Sequence, residues 1–157
     1  MTLRMRLATV IAMLAAAFCA GPAYSQAKPD FTGTWKLNTQ KSGFGGDPMP
    51  ESITATVEHK NDRFKYVAEG VAGGQPFHEE VDIAIDGKEH PAPGDFPGTI
   101  MVKWDGAVLV SVMKSDDGAF ALTARLRLSG DGKVVTRQVE RKSPEGESKH
   151  AEIYEKQ

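Results

Sequence analysis

The feature that most limits what this chain can fold into is a series of Asp-Gly reversals. Asp86-Gly87, Asp105-Gly106 and Asp117-Gly118, then Gly130-Asp131-Gly132, recur between stretches of alternating apolar and polar residues. Asp-Gly supplies the positive φ angles that a tight hairpin demands, so each marks a reversal between neighbouring antiparallel strands. Between them lie residues 99–104, 107–114 and 119–128. The last shows Phe120, Leu122, Ala124, Leu126 and Leu128 on one face, with Thr123, Arg125 and Arg127 on the other. Residues 134–142 and 149–156 complete the series, split by the turn Ser143-Pro144-Glu145-Gly146.

The first half reads the same way. Phe31, Gly33, Trp35 and Leu37 share one parity and Thr32, Thr34 and Lys36 the other, as on a strand with one apolar face. Gly33 beside Trp35 marks a place of close packing. Residues 40–50 hold three glycines and two prolines and read as an irregular loop, with Phe44 and Met49 plugging one end of the fold. Ile53, Ala55 and Val57 alternate with Thr54, Thr56 and Glu58; after a turn at 60–62 come Phe64, Tyr66 and Ala68. A turn at 71–75 leads to Phe77, Val81, Ile83 and Ile85, opposed by His78, Glu80 and Asp82. Glu79 is the exception, falling among the apolar residues. Residues 91–98 carry three prolines and form a loop behind a short edge segment at 88–90. No window shows a 3.6-residue apolar period. The expected fold is all-β: an antiparallel up-and-down meander of about 8–10 strands closing into a barrel, without a helical lid. A two-sheet sandwich is the alternative, but it typically needs Greek-key crossovers.

Residues 1–25 read as a secretory signal peptide: Arg4 and Arg6, an uncharged apolar run over 7–20, then the small-residue stretch Ala23-Tyr24-Ser25. Cleavage is expected after Ser25 or Ala27. The run falls short of the roughly 20 residues a membrane span needs. Acylation of Cys19 is disfavoured by the bulky Phe18 before it. Without the leader, 17 Lys+Arg face 21 Asp+Glu and the only cysteine is gone, so no internal disulfide is expected. About 130 residues remain for a single domain, 26–157. The mild acidity argues against a nucleic-acid partner. An exported protein, periplasmic or secreted, with no stable membrane anchor, is the expectation.

Gly33-Thr34-Trp35-Lys36-Leu37 resembles the Gly-x-Trp opening strand of the calycin barrels, the lipocalins and fatty-acid-binding proteins, and Ile153-Tyr154-Glu155 resembles the latter's Val-Tyr-Glu ending. The opening is also similar to small exported bacterial proteins without an assigned function. The resemblance implies a ligand-holding barrel. It also implies departures: residues 40–51 cannot hold the two lid helices, and Glu152 stands where those proteins carry the Arg that grips a carboxylate.

Candidate ligand-binding residues are Arg137, Arg141, Trp35, Trp104 and Tyr154. Arg137 and Arg141 share parity with Val135 and Val139, so inward valines bring two guanidiniums inside, each a planar fork suited to a carboxylate or phosphate. On the alternative reading the strand faces outward and they pair with Glu140, Glu145 or Glu147. Trp35 reads as core or barrel floor, Trp104 as a ligand contact or hairpin staple near a barrel mouth. Of Ile153 and Tyr154, Ile153 is the better inward residue by parity. The four histidines show no metal-ligand spacing and are expected at the surface. Ser111 lacks a nucleophile-elbow context. No metal, cofactor or catalytic activity is expected. The leading function is binding of a small, mostly apolar ligand, with Ala55, Ala68 and Ala124 leaving room for it. The alternative is an interaction module or hydrolase inhibitor with a filled core, contacting a protein partner through residues 40–51 and 91–98.

Overall fold

The computed structural model describes residues 27–157; the expected leader, its cleavage site after Ser25 and Cys19 lie outside the described residues. Ten antiparallel strands form a single sheet: β1 (Gly33–Leu37), β2 (Ser52–Lys60), β3 (Arg63–Ala72), β4 (Gln75–Ala84), β5 (Glu89–Pro91), β6 (Gly98–Asp105), β7 (Val108–Ser115), β8 (Ala121–Leu128), β9 (Val134–Ser143) and β10 (Gly146–Lys156). The order β4-β3-β2-β1-β10-β9-β8-β7-β6-β5 is a meander whose two chain ends meet, because β1 pairs with both β2 and β10. Among the described residues there is no helix and no Greek-key crossover.

Hairpin register carries one parity from strand to strand. Trp35 lies opposite Ala55, Ala55 opposite Ala68, and Ala68 opposite Glu79. In the other direction Leu37 opposes Tyr154, Tyr154 opposes Val135, and Glu152 opposes Arg137. Since side chains alternate with period two, this register puts all these residues on one face. The sheet curls around that face. Val81 and Ile83 of β4 share a core with Val102 of β6 and Leu109 of β7, although β4 and β5 are not hydrogen-bonded to each other. At one end of this seam the chain itself crosses over, where the Gly87 N–H donates to Val102 O (2.9 Å). The unpaired edges are blunted in the usual ways, by Pro76 with Glu80 and Asp82 on β4, and by Pro91 with the loop after it.

The two barrel ends close differently. The floor is aromatic: Phe31, 1% exposed, packs against Phe64, His59 and Trp104 with ring centroids 6.2 Å apart, and its carbonyl accepts from the Trp35 indole N–H (2.8 Å). Gly33, at φ +145°, leaves room here for the Lys156 stem, whose ammonium lies 5.3 Å from the centre of the Trp35 ring. The opposite mouth is covered by residues 38–51. Gly43 rejoins the sheet by bridging to Ala151, and the Ser42 hydroxyl accepts from the Ile153 N–H (2.9 Å). Phe44 then stacks on His150 (5.1 Å). Of the expected plug residues only Phe44 serves; Met49 is 52% exposed.

Candidate functional site

Between floor and mouth the inward faces enclose a cavity of about 300 Å³. Its wall is mostly apolar, from Trp35 on β1, Ile53, Ala55 and Val57 on β2, Phe64 and Ala68 on β3, Val81 and Ile83 on β4, and Val102, Leu109 and Leu126 on β6–β8. The polar groups lining it are few: Tyr66, Glu79, Ser111, Arg137 and Tyr154. Ala55 and Ala68 provide space as expected; Ala124 is buried but lies outside the wall.

A polar ladder runs along the inward faces of β9 and β10, from the cavity toward the mouth. Arg137 Nη1 donates to Glu152 Oε1 (2.6 Å), the Tyr154 hydroxyl donates to Oε2 (2.7 Å), and His150 Nε2 lies 3.0 Å from Oε1. Burial pushes the 4%-exposed Glu152 carboxyl up, but the Arg137 charge and the Tyr154 and His150 contacts together outweigh it and hold the group below its ordinary value. Burial opposes the charged form of Arg137 too, and Glu152 overcomes it in the same way. The remaining accessibility of the Arg137 side chain, 32%, fits its place in the cavity wall. Nearer the mouth, Arg141 Nη2 and the Ser148 hydroxyl both donate to Asp47 (2.6 and 2.7 Å), with His150 Nδ1 3.4 Å from the same carboxylate. The Ser148 hydrogen bond, aided by Arg141 and His150, holds Asp47 below the ordinary carboxylate range.

On the opposite wall the Tyr66 hydroxyl donates to Glu79 (3.0 Å). Burial first, then the Glu79 and Glu152 charges, pushes the Tyr66 and Tyr154 hydroxyls well above their usual values, so both remain donors. The parity exception at Glu79 therefore puts a carboxylate on the inward face of the edge strand β4, lining the cavity while remaining solvent-accessible. Its neighbours face out, His78 to Glu69 (3.2 Å) and Glu80 to Lys65 (3.1 Å).

Arg137, Trp35 and Tyr154 thus come together at one cavity. Arg141 lies on the same inward face, yet it is tied to Asp47 and does not line the cavity; the surface pairing with Glu140, Glu145 or Glu147 does not form. Glu140 instead meets Arg125 and Lys149, and Glu147 meets Lys142. Trp104 is also outside the wall. It staples the floor, stacked on Phe31 with Lys28 Nζ 5.2 Å from the centre of its ring. Tyr154, rather than Ile153, is inward. Hydrophobicity named the wrong face of β10, because the inward positions Ser148, His150 and Glu152 are polar and find partners in the mouth loop, on β10 itself and on the adjacent β9. Two histidines likewise depart from expectation: the side chains of His59 and His150 are 7% and 9% exposed, in the aromatic floor and between two carboxylates. Ser111 lines the cavity; His78, His90 and His150 contact carboxylates, whereas both ring nitrogens of His59 are buried without a hydrogen bond among the described residues, Nδ1 lying 3.8 Å from Asp30.

No protein-family model and no curated protein matches the chain. Solved structures do. Over 81% of this chain and 97% of theirs it superposes on the fluorescent protein UnaG (TM-score 0.57, 17% identity). A secretory abundant heat soluble protein from Ramazzottius varieornatus matches at TM-score 0.61 and 10% identity, covering 83% of this chain and 98% of that one. Zebrafish ileal bile acid-binding protein, complexed with cholic acid, matches at 0.56 and 11%, covering 81% and 98%. The fold is a calycin-like barrel. At these identities the likeness concerns architecture, and the walls of this barrel are its own.

Proposed function

We propose that this protein is an exported, non-catalytic barrel that holds one small, mostly apolar molecule in its interior. The observation that carries this reading is the cavity of about 300 Å³, apolar for most of its wall and furnished with a few inward polar groups. That volume is at the lower end of ligand pockets, which run from about 300 to 1,000 Å³. It also counts against the interaction-module reading, which supposes a filled core. The likeness to a bile acid-binding protein supports the same class of function. Export rests on the charge and hydropathy layout of residues 1–25.

Two measurements test the reading. Native mass spectrometry of protein purified from its own host should show a co-purifying small molecule. In vitro, Nile red should gain fluorescence on entering the barrel, and Ala68→Trp, which fills the cavity from β3, should abolish that gain while the β far-ultraviolet spectrum is kept. An Ala68→Trp protein that binds Nile red as tightly as the parent would move the ligand elsewhere. For export, the secreted or periplasmic form should begin at Gln26 or Lys28 by N-terminal sequencing; an uncleaved Met1 form confined to the cytosol would refute it.

A further inference from the structure

The charges in the cavity wall narrow the class of ligand, given the binding function proposed above. Arg137 and Glu79 are the two charged residues of that wall. Arg137 is already neutralised from behind by Glu152, which is itself held by three partners. Among the described residues Glu79 has no such counterion. Its hydrogen bond comes from the neutral Tyr66 hydroxyl, and the cations of the neighbouring strands are committed on the outer face, Arg63 to Asp82 and Lys65 to Glu80. Taken with its ion-pair partner, the wall therefore carries one uncompensated negative charge. A carboxylate whose head reaches this part of the wall meets the like charge of Glu79, which lines the cavity while remaining solvent-accessible on the edge strand β4. Arg137 nevertheless keeps donors free of Glu152, since only Nη1 is used there.

We propose that the cavity selects an apolar molecule with an uncharged head that accepts a hydrogen bond from Arg137 and donates one to Glu79, an amide or alcohol, and discriminates against a fatty carboxylate. Carboxylate capture through Arg137 is the competing outcome. A primary amide head carries both an acceptor oxygen and N–H donors, and so offends neither Arg137 nor Glu79. An ionised acid offers acceptors alone and leaves Glu79 facing negative charge. Discrimination of this kind comes from repulsion of the wrong head group as much as from attraction of the right one.

The test is a competition against bound Nile red with dodecanamide and dodecanoic acid at neutral pH, both below their aggregation concentrations. The amide should displace the dye at a concentration at least about tenfold lower, equivalent to about 1.4 kcal/mol. Glu79→Gln, which still accepts the Tyr66 hydrogen bond, should bring the two close to parity, and Glu79→Lys should reverse the order. Acid binding as tightly as amide in the parent protein would overturn the inference, as would a ratio unchanged in both variants. Failure of the amide to displace bound dye would overturn it too. Failure of Nile red to bind at all is a different result and defeats the binding function itself.

Discussion

Arg137 and Glu152 are the residues on which the interior chemistry turns. A buried pair of this kind contributes little net stability over an apolar pair, yet removing one partner alone leaves an uncompensated charge. Arg137→Met should destabilise the protein by about 3 kcal/mol, the low end for such losses because the arginine borders a cavity. The double variant Arg137→Met with Glu152→Gln should recover most of that loss, since glutamine still accepts from Tyr154. Urea unfolding of the two variants decides it, and losses that simply add would contradict the pairing. This residue pair was half legible in the sequence. The parity of Arg137 with Val135 put the guanidinium on the valine face. Nothing local identified Glu152 as its partner, because the contact spans the β9–β10 register, and an acidic residue two before a tyrosine reads as surface until its neighbours are known.

At the scale of elements, the loop over residues 38–51 covers the mouth, and to the Gly43 bridge, the Ser42 hydroxyl and the Phe44 ring it adds one charged anchor. Asp47 reaches in from the loop to Arg141, Ser148 and His150, all on the inward faces of β9 and β10. Its carboxyl is held below its ordinary value in the folded protein, as is that of Glu152. A depressed carboxyl stabilises the fold above the unfolded-state value and loses that contribution as pH falls through the folded one. The unfolded chain takes up its protons first, near pH 4. The urea midpoint should therefore drop as pH is lowered below about 4.5, and Asp47→Asn should make that drop shallower by removing one of the depressed carboxyls, which also include Asp30, Asp86, Asp117, Asp131 and Glu155. Superimposable pH curves for parent and variant would show that the loop is not anchored there. The glycines and prolines of this loop announced its irregularity, and Phe44 was recognisable as a plug. The aspartate was not, because a single acid in a polar loop has no signature.

For the molecule as a whole, the decisive junction is β1 against β10, which joins the two ends of the described chain and turns a row of hairpins into a curled sheet. Trp35, Lys36 and Leu37 pair with Lys156, Glu155 and Tyr154 across it. Removing residues 153–157 should abolish the cooperative unfolding transition and expose apolar surface to a dye such as anilinonaphthalene sulfonate, whereas removing Gln157 alone should cost little. A truncated chain that still unfolds cooperatively would show that the seam is dispensable. Strand positions, hairpin turns and the all-β class could be read from residue order, because alternation and Asp-Gly turns are local properties of the backbone. The inner face of most strands followed from the same alternation, Glu79 included. What could not be read was how the interior is occupied: that His150 lies between two carboxylates, that Trp104 seals a floor instead of facing a ligand, and that a cavity remains at the centre. Those depend on which side chains meet across a curled sheet and on the volume they leave unfilled, and distances between residues remote in sequence exist only once the chain has closed on itself.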